Sequence, residues 1–365
     1  MDQYKFKSNL TVFRKTLQNE DKPPLRVVIT EAMSYTSRSL AYRLLSDEVF
    51  GSDQEIILSF FDTSDSVVFL EGIVIEITAC APNLLRDIIH SKEESEAFKD
   101  ADYIFSIGKA RDYNFFKTDL KGDQFFQDAV LETKSNALAI EKYAKKDAKV
   151  ITLGNTAATL ISEYAPSIPK ENITAVSLAL QKSAATAIAK KMGRVPSDVS
   201  NLIIWGTNSR QNFPYCNYAK FKDGKSVMKE VDDDVWLRKE LPEKVEATFQ
   251  KCRYRTSDAL ALAEHCKLLI QGTPPGKWTC MSVYSDGSYG VTPRVFFSFP
   301  VTCENGCWKI VQGLYVEGYC KQIIADFLAI INEKITIALK ISQRPVSPPL
   351  FRKSVRKSII KISQI

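Results

Sequence analysis

Histidine is scarce in this chain of 365 residues, which contains only His90 and His265. Its eight cysteines form neither a CxxC pair nor a Cys/His cluster with the spacing of a zinc site, so we expect no metal centre. The sequence also lacks an uncharged apolar run of about 18 residues and an apolar signal segment at its start. These absences predict a cytoplasmic protein with neither a membrane span nor a secretory leader.

Cys303 and Cys307 flank Glu304, Asn305 and Gly306, a composition that predicts a hairpin turn. The two thiols could then face each other across neighbouring strands. In a cytoplasmic protein, however, two reduced thiols are the expected state.

Acidic residues are absent from residues 341–365, which carry the cations Arg344, Arg352, Lys353, Arg356, Lys357 and Lys361. Because the net charge of the whole chain is +6, these cations account for all of it and the preceding residues are neutral in sum. Cations interleaved with apolar side chains after a Pro-containing extended stretch indicate a tail that orders on an acidic partner. Acidic protein surfaces such as tubulin and anionic membranes fit this charge, whereas the lack of a nucleic-acid motif argues against nucleic acid. A solvated, disordered tail is the alternative.

Apolar runs alternate with helical patterns through the first part of the chain. The runs predict strands at residues 26–30, 55–61, 103–107, 149–153, 173–178 and 202–205. Such alternation predicts right-handed βαβ units on a doubly wound, mostly parallel sheet. The later part predicts helices at 231–251, 257–271 and 319–341, with strands at 278–285, 294–302 and 308–311. We therefore expect an α/β fold with a second α+β domain, divided into an N-terminal extension 1–25 and segments 26–156, 157–341 and 342–365.

Six short motifs occur in one order between residues 25 and 340. They are SDEVFG at 46–51, SIPKEN at 167–172, IIWG at 203–206, GTPPG at 272–276, SDGSYGV at 285–291 and FSFPV at 297–301. Together they resemble the cytosolic malate dehydrogenase family. The divergence is similar to that of the 1B-type members, a subgroup of ciliated cells and sperm. The resemblance implies a Rossmann-type NAD-binding domain, a catalytic-type α+β domain and a homodimer.

The phosphate loop of the family reads Gly-Ala-Ala-Gly-Gln-Ile-Ala, where this chain has EAMSYTS at 31–37. Glu31 and Ser34 thus replace the glycines that let backbone N–H groups approach a pyrophosphate. One carboxylate–phosphate pair at about 4 Å costs about 4 kcal/mol at an effective dielectric of about 20. This loop predicts impaired NAD binding, unless Glu31 turns to solvent and binding is only weakened.

Other cofactor positions match the family. Asp62 ends the second strand where the resemblance implies a ribose-binding acid, although Asp at a strand end is also a common turn residue. Gly108, Gly154 and Asn155 match loops on the cofactor side. We therefore expect that the protein binds no cofactor. If it does bind one, the expected molecule is NAD.

Three positions of the family's catalytic site are substituted. Asn208 replaces the histidine that exchanges a proton with the substrate hydroxyl, and an amide cannot do this near neutral pH. Leu180 replaces the aspartate that orients the histidine, and Ser183 replaces a substrate-binding arginine. Arg111 and Lys117 fall at the other two substrate arginines, where they could bind an anion or be solvated loop cations.

These substitutions favour a catalytically inactive malate dehydrogenase homologue that serves as a structural or interaction subunit, with the subgroup resemblance implying an axonemal or other microtubule-associated location. One alternative is an NAD-dependent oxidoreductase acting on another 2-hydroxy or 2-oxo acid. Another is a non-catalytic sensor of nucleotides or dicarboxylates. Neither of the two histidines of the chain falls at a catalytic position. The pattern predicts a structural role for His265 and a surface position for His90.

Overall fold

The computed structural model describes residues 22–62, 67–108, 123–209, 211–251 and 256–344. Arg111, Lys117 and the cations of the tail beyond Arg344 lie outside the described residues.

The first half of the protein builds six parallel strands in the order β3-β2-β1-β4-β5-β6. They are β1 Leu25–Thr30, β2 Ile56–Phe61, β3 Leu85–Ser91, β4 Tyr103–Ser106, β5 Lys149–Thr152 and β6 Ile173–Val176. The order reverses between β1 and β4, as in doubly wound sheets that bind dinucleotides. The predicted mostly parallel sheet is therefore confirmed.

Helices cover both faces of these strands. They are α1 Tyr35–Leu44, α2 Asp47–Phe50, α3 Val67–Ala79, α4 Glu94–Ala97, α5 Gln124–Tyr143, α6 Asn155–Tyr164 and α7 Leu178–Lys191. The period of two along β1 explains the layering: Val27 and Ile29 pack into one apolar core, and Val28 packs into the core on the opposite face.

The second half extends the same sheet with antiparallel strands, because β9 pairs with β6. Its strands are β7 Ile203–Gly206, β8 Asn212–Tyr215, β9 Thr279–Tyr284, β10 Phe296–Glu304 and β11 Cys307–Ile310. Its helices are α8 Val227–Val231, α9 Leu241–Lys251, α10 Thr256–Gln271 and α11 Gly318–Ser342. The described strands thus form one sheet of eleven. The predicted domain boundary at residue 156 lies between two strands of this sheet and stays a prediction.

The predicted helix 231–251 is divided in the structure. α8 ends at Val231 and is capped by Asp232, whose φ of 43° lies in the left-handed region, and a π-helical turn at Trp236–Glu240 leads into α9. Asp233 explains the restart, since its carboxylate accepts a hydrogen bond from the backbone N–H of Trp236 at 2.9 Å.

The hairpin at Cys303 and Cys307 forms as predicted, but the two thiols are not opposite each other. Cys303 pairs with Trp308, and Cys307 pairs with Glu304. Both cysteines are free, the first buried and the second exposed. Within the described residues, no helix has the length and apolar character needed to cross a bilayer.

Candidate functional site

A cleft of about 700 Å³ of open space lies at the carboxyl ends of β4 and β5. Its described lining is Ser106, Gly108, Phe126, Leu153, Gly154, Asn155, Thr156, Ala157, Thr207, Asn208, Ser209, Gln211, Ile330, Ile331 and Lys334. These residues come from the end of β4, from the loops after β4, β5 and β7, and from α5, α6 and α11. A crevice at the carboxyl ends of parallel strands is where α/β sheets bind ligands. The structure therefore brings Gly108, Gly154, Asn155 and Asn208 together in one cleft.

The turn after β7 is held by Gly206. Its φ is 110°, and a Cβ there would lie 1.9 Å from the carbonyl oxygen of Gln211, so only glycine fits. The Thr207 N–H donates to the same carbonyl at 2.7 Å, and the hydroxyls of Thr207 and Ser209 are 2.5 Å apart. This tight, internally bonded turn fixes where Asn208 lies.

Asn208 is 4% exposed, and its Nδ2 donates a hydrogen bond to the carbonyl oxygen of Leu153 at 3.2 Å. The side chain therefore ties the loop after β7 to the loop after β5. An amide in this role holds the wall of the cleft in place but has no proton to exchange near neutral pH.

Asn155 is the first residue of α6 and is 5% exposed. Its Nδ2 donates to the carbonyl oxygen of Phe296, while its Oδ1 is buried without a hydrogen-bond partner in the structure. A buried amide oxygen left without a donor costs about 1–3 kcal/mol, so this acceptor is a candidate contact for a ligand.

Leu180 and Ser183 lie elsewhere. Both line a second cavity, of about 1000 Å³ of open space, between α7, α9 and α10, and neither lines the cleft of Asn208. Leu180 is 1% exposed and belongs to an apolar cluster that includes Ala184 and Leu202. Among the described residues, the lining of the Asn208 cleft therefore includes neither Leu180 nor Ser183.

The loop 31–37 uses its own backbone donors. The Met33 N–H donates to Asp62 Oδ2 at 3.3 Å, and the Ala32 N–H donates to the carbonyl oxygen of Phe61 at 3.4 Å. Ser34 caps α1, because its Oγ accepts from the Ser37 N–H at 3.0 Å. Asp62, predicted to hold a ribose, is 7% exposed and accepts this bond from the loop through one carboxylate oxygen.

Glu31 retains the backbone shape of a glycine. Its φ of 49° lies in the left-handed region, which is strained for a residue with a side chain. The Ser37 hydroxyl donates to the Glu31 carbonyl at 2.7 Å and to the Thr30 carbonyl at 3.0 Å. The turn therefore persists without its glycines, stabilised by serine hydroxyls.

Neither histidine reaches the cleft. His265 is fully buried on α10, where its Nε2 lies 2.8 Å from the Thr174 hydroxyl, and burial lowers its pKa to about 3. His90 is exposed on β3, the edge strand of the sheet.

Lys334 is a residue of the cleft that the sequence reading did not single out. It is half-buried on α11, and burial lowers the pKa of its amine from 10.5 to about 7. The helical spacing could have placed it there, because Lys334 follows Ile330 and Ile331 by four and three residues and therefore lies on their side of the helix.

The described residues hold no group of three or more His, Cys, Asp or Glu side chains placed to bind a metal ion.

Residues 181–340 match the model of the lactate/malate dehydrogenase, alpha/beta C-terminal domain. The chain is 38% identical over 313 residues to the cytoplasmic malate dehydrogenases of Rattus norvegicus and Homo sapiens, covering 82% of this chain and 92% of each relative. It is similar to the crystal structure of malate dehydrogenase from Naegleria fowleri, with a TM-score of 0.80, 26% identity, and coverage of 88% of this chain and 99% of that one. The resemblance carried by the six motifs is confirmed, and this chain belongs to the lactate/malate dehydrogenase family.

Proposed function

We propose that this chain is a malate dehydrogenase homologue that no longer transfers hydride between malate and NAD and acts as a structural or interaction subunit. The observation that carries the proposal is the buried amide of Asn208, bonded to the Leu153 carbonyl where the reaction requires a proton carrier. Leu180 and Ser183 support it, since they replace the family's orienting aspartate and a substrate-binding arginine.

The phosphate loop supports the same proposal for the cofactor. A dinucleotide needs free backbone N–H groups at the start of α1. The N–H groups of Ala32 and Met33 already donate to Phe61 and Asp62. Glu31 adds a carboxylate where a pyrophosphate would lie. These residues do not fit the family's mode of NAD binding.

Two measurements on the purified full chain test the proposal. Malate oxidation is followed by NADH formation, and NADH binding is followed by calorimetric titration, with a cytoplasmic malate dehydrogenase as the control in both. We expect no turnover above background and no heat of binding at concentrations that saturate the control. An enzyme-like rate of malate oxidation would overturn the proposal.

A second candidate is an NAD-dependent oxidoreductase acting on a different 2-hydroxy or 2-oxo acid. The observation that favours it is Lys334, an ionisable group in the cleft. This candidate requires NADH to bind at micromolar concentration, so the same titration separates it from the first.

The partner of the subunit is proposed to be a protein assembly with an acidic surface, in the cytoplasm and on axonemal or other microtubules. The basic tail and the 1B-type divergence support this proposal. Co-sedimentation with microtubules tests it, by comparing the full chain with a chain that ends at Arg344 and with a full-length variant whose tail cations are replaced by alanine. We expect both variants to lose binding, and wild-type binding to weaken as salt is raised. Binding that survives both changes would contradict a role for the tail.

The homodimer implied by the resemblance is also proposed to persist. Phe69 and Ile75 of α3 are 64% and 62% exposed and supply apolar surface for a second copy. Light scattering of Phe69→Glu and Ile75→Glu variants should show a shift to monomer. Val235→Glu is the matched control, because Val235 is equally exposed, at 68%, outside α3. A wild-type chain that is monomeric would contradict the proposal.

A further inference from the structure

We propose that Ser354 and Ser358 are phosphorylation sites for a kinase that selects basic residues, and that their phosphorylation weakens the contact between the basic tail and its acidic partner. The inference deepens the proposed function, on which it rests, because it adds a means of regulating the tail contact. Both serines lie beyond Arg344, outside the described residues, and the sequence itself carries their chemistry.

The two serines occupy the same local sequence. Each follows an Arg-Lys pair and precedes an aliphatic residue, in Arg-Lys-Ser-Val at 352–355 and in Arg-Lys-Ser-Ile at 356–359. Kinases discriminate between substrates through charge patterns that complement the substrate-binding cleft. A kinase with an acidic cleft and an apolar pocket for the residue after the serine therefore fits both positions.

Pairs of adjacent basic residues precede a hydroxyl only near the two ends of the chain. The pairs are at 14–15, 145–146, 190–191, 238–239, 352–353 and 356–357. The three pairs in the middle of the chain are followed by Asp, Met or Glu, which offer no hydroxyl to a kinase. The others are followed by Thr16, Ser354 and Ser358. Thr16 is a useful comparison, because its phosphorylation would leave the charge of the tail unchanged.

The charge added by phosphorylation is comparable to the charge of the tail. Residues 341–365 carry +6 without an acidic side chain, and the preceding residues are neutral in sum. A phosphoserine carries about −1.5 to −2 at pH 7, so two of them reduce the charge of the tail to about +2 to +3. The attraction to an acidic surface falls with this charge, and the rest of the chain has no positive excess to replace it.

The described end of the tail is held to the body. The Lys134 amine donates to the Ser342 carbonyl oxygen at 2.8 Å, and the hydroxyls of Tyr164 and Ser342 are 2.8 Å apart. Arg344 donates to Gln127 Oε1 at 2.6 Å. Ser342 is fully buried, so a kinase has no access to it in the folded protein. Phosphorylation beyond Arg344 should therefore change the charge of the tail without loosening α11.

The modification is a phosphoryl transfer from ATP. The serine Oγ forms a bond to the γ-phosphorus while the bond from that phosphorus to the β–γ bridging oxygen breaks, and the hydroxyl proton passes to a base of the kinase. ADP leaves, and hydrolysis by a phosphatase restores the serine. The kinase and ATP are the outside reactants, and the cleft of this chain takes no part.

Kinase treatment of the full-length chain tests the proposal. The chain is incubated with ATP and the catalytic domain of protein kinase C, a kinase that selects serines flanked by basic residues. Peptide mass spectrometry maps the phosphates, and elution from a poly-glutamate resin on a salt gradient measures the affinity for an acidic polypeptide. We expect phosphate on Ser354 and Ser358, and an affinity about tenfold or more lower at physiological ionic strength. The urea midpoint should not change.

Four variants identify the sites. The double variant Ser354→Ala with Ser358→Ala should lose both phosphates and the shift in elution. Ser354→Asp with Ser358→Asp should elute at lower salt without kinase treatment. Thr16→Ala and Ser363→Ala are the matched controls and should keep the shift, because Thr16 lies outside the tail and Ser363 does not follow a basic pair. Phosphate confined to other residues, or unchanged elution of the doubly phosphorylated chain, would overturn the proposal.

Microtubule co-sedimentation separates this proposal from the proposed function. If the unmodified chain binds microtubules but phosphorylation does not shift its elution from the resin, the phosphorylation sites are wrong and the proposed partner stands. If phosphorylation shifts the elution but the unmodified chain does not bind microtubules, the proposed partner is wrong and the phosphorylation sites stand.

Discussion

The side chain of Asn208 donates a hydrogen bond to the backbone carbonyl of Leu153 at 3.2 Å, so an amide joins the turn after β7 to the turn after β5. A histidine at position 208 would regain a titrating ring. That ring would lack the orienting carboxylate of the family, because position 180 is a leucine in an apolar cluster.

We therefore expect that Asn208→His alone leaves malate oxidation at background. NADH formation with saturating malate and NAD is the measurement, and Asn208→Gln, which keeps the amide, is the matched control. An enzyme-like rate in Asn208→His would mean that the remainder of the catalytic arrangement is still present.

The cluster around Leu180 predicts the cost of restoring the orienting acid. Leu180 is 1% exposed, and an uncompensated charge there should reduce the free energy of unfolding by about 3–5 kcal/mol. We expect Leu180→Asp to lower the urea midpoint sharply or to prevent folding. Leu180→Met, which conserves volume, should cost less than about 1.5 kcal/mol. Equal midpoints for the two variants would contradict the burial of this position.

The left-handed backbone of Glu31 predicts a gain in stability. Replacing Glu31 by glycine removes the strain of a side chain at φ 49°, and should raise the free energy of unfolding by up to about 1 kcal/mol. Asp100→Gly is the matched control, because Asp100 is exposed at φ 51° and is far from the loop in sequence. We expect similar stabilisation in both variants, measured by urea unfolding.

NADH affinity separates the two glycine variants. Glu31→Gly also removes the carboxylate from the phosphate loop, so any gain in NADH binding should occur in this variant and not in Asp100→Gly. A weak gain is expected, because Met33 and Ala32 still donate to Asp62 and Phe61. Full, enzyme-like affinity in Glu31→Gly would mean that these internal bonds open readily.

The sheet was predictable where strands are buried on both faces, because a run such as Val27, Val28 and Ile29 has no other stable environment. The strands at the two ends of the sheet order, β3 and β8, were not. β3 carries exposed Arg86 and Asp87, and β8 contains Pro214, so neither has the apolar pattern of a central strand.

The candidate site was predictable to the level of residue positions in the cleft, such as Asn155 and Asn208. Its bonding was not, since the use of Asp62 as an anchor for the Met33 N–H depends on how a turn closes in three dimensions. Lys334 was missed because a lysine on an amphipathic helix is normally solvated, and only the packing of α11 against the loops shows that its amine is half-buried.

The pKa of Lys334 predicts how stability depends on pH. The folded value of about 7 lies below the ordinary value of 10.5, so between these values the unfolded chain binds a proton that the folded chain does not. Stability then rises with pH across this window, by at most about 1.4 kcal/mol per pH unit from this group. Below about pH 7 the amine is charged in both states, so the free-energy cost of burying it no longer changes with pH.

We expect Lys334→Met to be more stable than the wild type at pH 7, by a margin that shrinks between about pH 7 and pH 9. Urea unfolding of both proteins measures this difference, and taking the difference cancels the titration of the buried cysteines they share. A margin that is constant with pH would mean that the amine has the same pKa in the folded and unfolded states, which would contradict its burial.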